Sequence, residues 1–151
     1  MEYQWFAFSD ERMKQAFDLR KEVFVEEQGF ALEDEMDAQD QTSLHVLGIT
    51  EQGTVCCARI FWQEPGVLHV GRVCVRRSCR GQGVGRGLME EILRKAGELG
   101  ARRAELGSQC GREGFYETLG FRPFGNRFLD AGAWHIAMGR DLREPLRGRN
   151  G

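Results

Sequence analysis

No stretch of this 151-residue chain approaches about 20 consecutive apolar residues, so no transmembrane helix is expected. Its first residues, Met1-Glu2-Tyr3-Gln4-Trp5, carry neither a basic start nor an apolar core, so no secretory leader is read there. Metal-type cysteine spacing is also missing. The five cysteines (Cys56, Cys57, Cys74, Cys79 and Cys110) are odd in number and contain no C-x-x-C spacing. That pattern argues against a structural zinc site, so no metal is expected, and it suggests free thiols in a reducing compartment, with a cytoplasmic location as the expectation. A net charge of −2 gives no reason to expect nucleic-acid or membrane binding. Charge is instead lacking locally, one sign at a time. From Glu22 through Ala58 there is no lysine or arginine, and from Pro65 to Met89 there is no acidic residue. The basic segment is short and has no interleaved aromatics, which again speaks against nucleic acid.

What the chain does have is the composition of a soluble globular protein, 41% hydrophobic and 29% charged, at a length that suits one sizeable core. No internal repeat, low-complexity tract or linker is visible. A single domain over residues 1–142 is expected, followed by a flexible arginine-rich tail over 143–151 that contains Pro145.

The organising stretch is Arg80-Gly81-Gln82-Gly83-Val84-Gly85-Arg86-Gly87. Before it, Leu68–Val75 alternates and is rich in β-branched residues, so it reads as a strand. After it, Leu88, Met89, Ile92, Leu93, Ala96 and Leu99 recur at three- and four-residue spacing, as one face of a helix does, and Gly100 caps it. Glycines at 81, 83 and 85 allow a tight turn and close approach to the backbone amides. The opening N–H groups of a helix lack internal partners and lie at its positive pole, a combination that binds phosphates. The G-x-G-x-x-G spacing of dinucleotide folds fails here, because Arg86 and Leu88 stand where a third glycine is needed. A P-loop spacing is absent as well. A glycine-rich strand-to-helix turn with no ligand is the plainer alternative.

The remaining elements follow from the same signals. Tyr3–Phe8 reads as a strand, and a helix is expected from Ser9-Asp10 to about residue 25. Leu44–Ile49 and Val55–Trp62 read as antiparallel strands around the turn at Glu51-Gln52-Gly53. Arg103–Gln109 is a strand parallel to the one before the glycine loop. Arg112–Leu119 reads as a short helix, Gly125–Gly132 as a loop and Ala133–Gly139 as the last strand. The result is an α/β domain with a mixed sheet. In the acidic stretch, Glu26, Glu27, Glu33, Asp34, Glu35, Asp37 and Asp40 have two readings, a solvated surface or a pocket for a cationic substrate. Arg20, Arg59 and Arg72 lie in apolar surroundings, and an arginine buried there needs a carboxylate, so these acids are also candidate internal partners.

Arg80-x-x-Gly83-x-Gly85 after a Val-x-Val strand resembles the acetyl-CoA-binding loop of the GNAT N-acetyltransferase superfamily. Phe115-Tyr116 with Gly120-Phe121 is similar to a second signature of the same superfamily. Arg20-x-x-Val23-Phe24-Val25-x-Glu27-Gln28, Asp37-x-x-Asp40, Gly71-Arg72-Val73, Ser108-Gln109 and Phe128–Met138 extend the likeness to its ElaA/YjcF-like branch, over roughly residues 20–140. The resemblance implies the GNAT-like acyl-CoA N-acyltransferase fold, a central mixed sheet with splayed parallel strands flanked by helices. It implies acetyl-CoA as cosubstrate and a primary amine, on a small molecule or a protein, as acceptor. A non-catalytic acyl-CoA-binding module on the same fold is the alternative. Carried over, the backbone of Val73, Cys74 and Val75 meets pantetheine, an N–H near Val75 polarises the thioester, and the amides of Arg80, Gly81, Gln82, Gly83, Val84, Gly85 and Arg86 hold the diphosphate. Tyr116 is then the candidate acid and His135 the favoured base, with His45, Glu27 and Glu105 as others by chemical type and a water chain to solvent as the alternative to direct abstraction. Glu27, Gln28, Asp37 and Gln109 are expected on the acceptor side. Gly107 and Arg112 depart from the Asn and Ala that many members carry nearby. Exposed sheet edges often pair in this fold, which leaves a homodimer open.

Overall fold

The computed structural model describes residues 1–142; the tail expected over 143–151 lies outside the described residues. Seven strands form one mixed sheet: β1 (Glu2–Ala7), β2 (Leu44–Thr50), β3 (Gly53–Glu64), β4 (Val67–Val75), β5 (Arg103–Gln109), β6 (Arg122–Asp130) and β7 (Ala133–Asp141). Their order across the sheet is β1-β2-β3-β4-β5-β7-β6. The helices are α1 (Met13–Arg20), α2 (Leu32–Glu35), α3 (Val84–Glu98) and α4 (Glu113–Glu117). A wide-turn π helix over Lys21–Glu27 continues α1, and 3-10 turns cover Ala38–Thr42 and Arg77–Cys79.

The chain forms two compact units. The first comprises Met1–Phe61 and Gly71–Leu88. Here β1 and β2 pair antiparallel from Glu2↔Ile49 to Ala7↔Leu44, and β2 pairs antiparallel with β3. Phe6, Met13, Ala16, Leu19, Val23, Phe24, Leu47, Cys57 and Cys74 make its core, so α1 and the π turn bury the three-to-four-spaced face that the sequence presents. The helix begins three residues later than Asp10, whose carboxylate instead accepts the Arg12 N–H at 2.9 Å. It then widens: the Gln28 N–H reaches back five residues to the Val23 carbonyl at 3.1 Å, and Gly29, at φ 80°, ends the turn.

The second unit comprises Trp62–Val70 and the described residues from Met89 onward. In it β4 and β5 pair in parallel only from Val67↔Arg103 to Val70↔Leu106. As expected of a strand–helix–strand crossover, the pairing is parallel. β5 pairs antiparallel with β7 along its whole length, and β7 with β6. The loop expected over Gly125–Gly132 is therefore wrong. Most of it is β6, an outer strand whose nine residues are all exposed. With no buried face it has no apolar alternation to betray it, and its register slips between Pro123 and Arg127.

Candidate functional site

The glycine loop and its surroundings lie in the first unit. After Val75 the chain makes a 3-10 turn at Arg77–Cys79 and enters α3 at Val84. Gly81 and Gly83 have φ of 77° and 81°, which a side chain resists. A Cβ built on either would meet nothing within 4 Å, so both α-carbons border open space. The Gly87 N–H donates to the Gly83 carbonyl at 3.0 Å, the first turn of α3. Gly87 is itself confined: a Cβ there would lie 3.0 Å from the Tyr3 hydroxyl. Cys74 is buried, with its thiol 3.4 Å from that of Cys57; this contact and burial hold its pKa well above the ordinary value. It contributes backbone to the strand and no reactive sulfur.

Arg80 makes a contact that sequence reading missed. Its Nε donates to the Val75 carbonyl at 2.9 Å, its Nη2 donates to Glu27 Oε1 at 2.8 Å, and its Nη1 donates to Glu27 Oε2. Glu27, at the end of the π turn, thus lies directly against the loop, 53 positions away in sequence. The acidic stretch divides. Glu26, Glu33 and Asp34 are exposed, whereas Glu35 and Asp40 are buried among arginines. Arg20 donates from Nε to Glu35 Oε1 at 2.8 Å and from Nη1 to Asp40 Oδ1 at 2.8 Å. Arg59 bridges Asp37 and Asp40 through Nη1, at 2.6 and 2.9 Å. Arg72 reaches Asp37 Oδ2 at 3.0 Å and pairs with Glu35 Oε2 at 3.2 Å. Asp37 is thereby held below the usual carboxylate range: burial alone would raise it, but the arginines outweigh that cost. Glu35, more deeply buried, is pushed up by desolvation despite its partners. His45 is sealed in the same region, its Nε2 donating to the Asp40 carbonyl at 2.9 Å, and burial lowers its pKa. Buried in this way, it is out of reach of a substrate.

Tyr116, His135 and Gln109 belong to the second unit. Tyr116, in α4, packs edge-on against Phe115 and Phe121, with ring centroids at 5.1 and 6.1 Å. Burial raises its phenol above the ordinary value of 10, although Arg112 opposes the shift. Gln109 on β5 is the cross-strand partner of His135 on β7, so their side chains share one face. His135 Nδ1 is 2.9 Å from the Ala133 carbonyl. A carbonyl only accepts, so Nδ1 carries the proton and neutral His135 keeps its lone pair on Nε2. Phe128 stacks on the imidazole at 5.8 Å and 24°. Its ring passes 3.2 Å from where a Gly107 Cβ would stand, so the bare strand position makes room for the stack. Gly107 was visible in the sequence as an oddity; its reason was not. Glu105 is committed elsewhere, receiving Arg103 Nε at 2.6 Å and Gln63 Nε2 at 2.9 Å, and these outweigh the burial that would raise its pKa. Cys110 is half-buried beside Gln109 in the chain. Among the described residues no group of three or more His, Cys, Asp or Glu side chains is arranged to hold a metal, and no helix is long and apolar enough to cross a membrane.

The model for the acetyltransferase (GNAT) domain matches residues 7–142. The chain is 34% identical over 137 residues to the uncharacterized N-acetyltransferase YjcF of Bacillus subtilis (strain 168), covering 89% of this chain and 96% of that protein. It is 33% identical over 129 residues to protein ElaA of Escherichia coli (strain K12), covering 82% and 84%. The crystal structure of Escherichia coli ElaA superposes with a TM-score of 0.82 at 30% identity, covering 93% of this chain and 100% of that one. An aminoglycoside 6'-N-acetyltransferase complexed with coenzyme A shares the fold at a TM-score of 0.74 and 15% identity. With the loop, the mixed sheet and a domain match over nearly the whole described chain in agreement, this protein belongs to the GNAT acetyltransferase family.

Proposed function

We propose that this acetyltransferase moves the acetyl group of acetyl-CoA directly onto a primary amine. The observation that carries the reading is the turn at Gly81 and Gly83, two left-handed glycines whose α-carbons border open space just before α3. That space fits a diphosphate, held by the amides from Arg80 to Arg86 and by the positive end of a 15-residue helix. Acetyl-CoA supplies the activated acyl group. The chain supplies position, polarisation and protons. The backbone of Val73, Cys74 and Val75 holds the pantetheine arm, and an N–H near Val75 polarises the carbonyl.

The acceptor nitrogen must be neutral to attack, and His135 is assigned that deprotonation: with Nδ1 turned to the Ala133 carbonyl, Nε2 is the nitrogen that carries the lone pair in the neutral imidazole. Nitrogen bonds to the carbonyl carbon, the C–S bond breaks, and the departing sulfur takes a proton from Tyr116. Burial keeps the Tyr116 proton on at neutral pH. It also makes the phenol a weaker donor, so its transfer accompanies C–S cleavage. Glu27, Gln28 and Gln109 are assigned to the acceptor, Glu27 from the place where its two carboxylate oxygens receive Arg80 beside the loop. Asp37 is engaged by two arginines and is not assigned to the acceptor. The test is calorimetry with CoA, followed by thiol release from acetyl-CoA across an amine panel. CoA binding with turnover of at least one amine supports the proposal; folded protein that ignores CoA ends it.

A further inference from the structure

Two non-glycine residues among those described have positive φ, Arg72 at 53° and Ala131 at 51°. Ala131 lies in the turn between β6 and β7, where such geometry is ordinary. Arg72 lies inside strand β4, where it is not. A left-handed arginine within a strand is strained, and such strain persists only where the surroundings hold it. Its place is informative. The parallel ladder of β4 ends at Val70, and the kink comes two residues later, immediately before Val73–Val75.

The guanidinium of Arg72 is fastened at several points. Its Nε donates to the Glu35 carbonyl at 3.2 Å, and its Nη2 donates to the Asp34 carbonyl and to Asp37 Oδ2, both at 3.0 Å. These acceptors are themselves fixed. Arg20 Nη2 donates to the same Glu35 carbonyl at 2.7 Å, Arg20 Nε holds the Glu35 carboxylate, and Arg59 grips Asp37 through both terminal nitrogens. Asp40 joins Arg20 to Arg59. Three arginines face three carboxylates, so the network is formally neutral. Buried ion pairs of this kind are weak sources of stability, and their best-attested use is to impose one conformation on the chain. The conformation that this one touches is the kink.

We infer that the Arg20–Glu35–Asp40–Arg59–Asp37 network is a positioning device that, through Arg72, locks the β4 kink and so aims the Val73–Val75 amides at the thioester carbonyl. The inference rests on the acetyl-CoA reading given above. It makes Arg72 and Asp37 positioning residues, and it gives the acidic segment a task other than contacting the acceptor.

The test reads the carbonyl itself and needs no acceptor. Acetyl-CoA carrying a 13C label at the thioester carbonyl is bound to the full chain, and the infrared stretch is compared with that of free acetyl-CoA. Two variants are compared with the parent: Arg72→Gly, which accepts the left-handed backbone without strain but unfastens it, and Asp37→Asn, which weakens one fastening at a partly exposed position. In the parent chain the stretch is expected to move to lower frequency. Both variants should keep native circular dichroism and acetyl-CoA affinity within roughly threefold, while losing at least half of that displacement. A folded variant that retains the full displacement overturns the inference and leaves the acetyl-CoA reading intact. So does a folded variant that loses acetyl-CoA binding altogether, since the network would then be general support. A parent chain that binds acetyl-CoA without any displacement overturns the inference too, whereas one that does not bind acetyl-CoA removes both.

Discussion

Arg20 and Asp40 meet through two hydrogen bonds, Nη1 to Oδ1 at 2.8 Å and Nη2 to Oδ2 at 3.1 Å, with both residues 1% exposed. Removing one member of such a pair strands the other's charge out of water. Arg20→Met should therefore cost about 3–5 kcal/mol in urea unfolding. Arg94 supplies the control. It pairs with Glu91 and Glu98 on the exposed side of α3, where solvent screens the charges. Arg94→Ala should leave the urea midpoint unchanged. Equal losses at the two positions would contradict this account of the buried network.

Gly83→Ala separates conformation from contact. The new methyl meets no atom within 4 Å, so only the left-handed backbone opposes it, at about 1–2 kcal/mol. Affinity for CoA should fall by more than about tenfold, because the same methyl enters the space assigned to the diphosphate. Thermal unfolding and CoA titration of one preparation compare the two effects. Unchanged affinity would remove the turn from the binding site.

Tyr116→Phe should keep acetyl-CoA affinity and lower kcat by about 10²- to 10⁴-fold. In the parent enzyme the alkaline limb that reports the phenol should begin above pH 10, since burial raises the Tyr116 pKa from that value. The variant should lack that limb. A variant with parental kcat would strip Tyr116 of the acid role.

His45 makes stability depend on acid. Burial lowers its folded-state pKa below the ordinary 6.5, so the unfolded chain binds the proton more tightly. Its contribution is fully present above 6.5 and drains away as the pH falls through 6.5 towards the folded value. His45→Gln, whose amide nitrogen can still donate to the Asp40 carbonyl, does not titrate there. Melting temperatures recorded from neutral pH downwards should fall less steeply for His45→Gln than for the parent. Parallel curves would show that His45 is not the sensitive group.

How much of this was legible depended on whether a residue's partners are near in sequence. The strand Arg103–Gln109 was read to the residue, because Ala104, Leu106 and Ser108 alternate against one buried face. α3 was recognised by its apolar spacing, though glycines blurred its first turn. β6 was not, since a strand exposed on both faces carries no periodic signal. The need of Arg20, Arg59 and Arg72 for carboxylates followed from the cost of burying charge. Which carboxylate meets which arginine did not, because the pairs are set by how α2 and the 38–42 turn lie on the sheet of the first unit. The π turn was hidden for a similar reason: one extra residue per turn barely alters the apolar spacing. The meeting of Glu27 with Arg80 depends on that turn.

The five thiols described above amount to a built-in clock for opening. Cys56, Cys57, Cys74 and Cys79 are sealed and Cys110 is partly accessible; burial, reinforced by Cys57, also pushes Cys56 to a pKa of about 12. An alkylating reagent should therefore add one label to the native chain and the other four only during excursions that part the strands. Counting labels by mass against time gives the frequency of those excursions in the first unit, without denaturant and without any substituted residue.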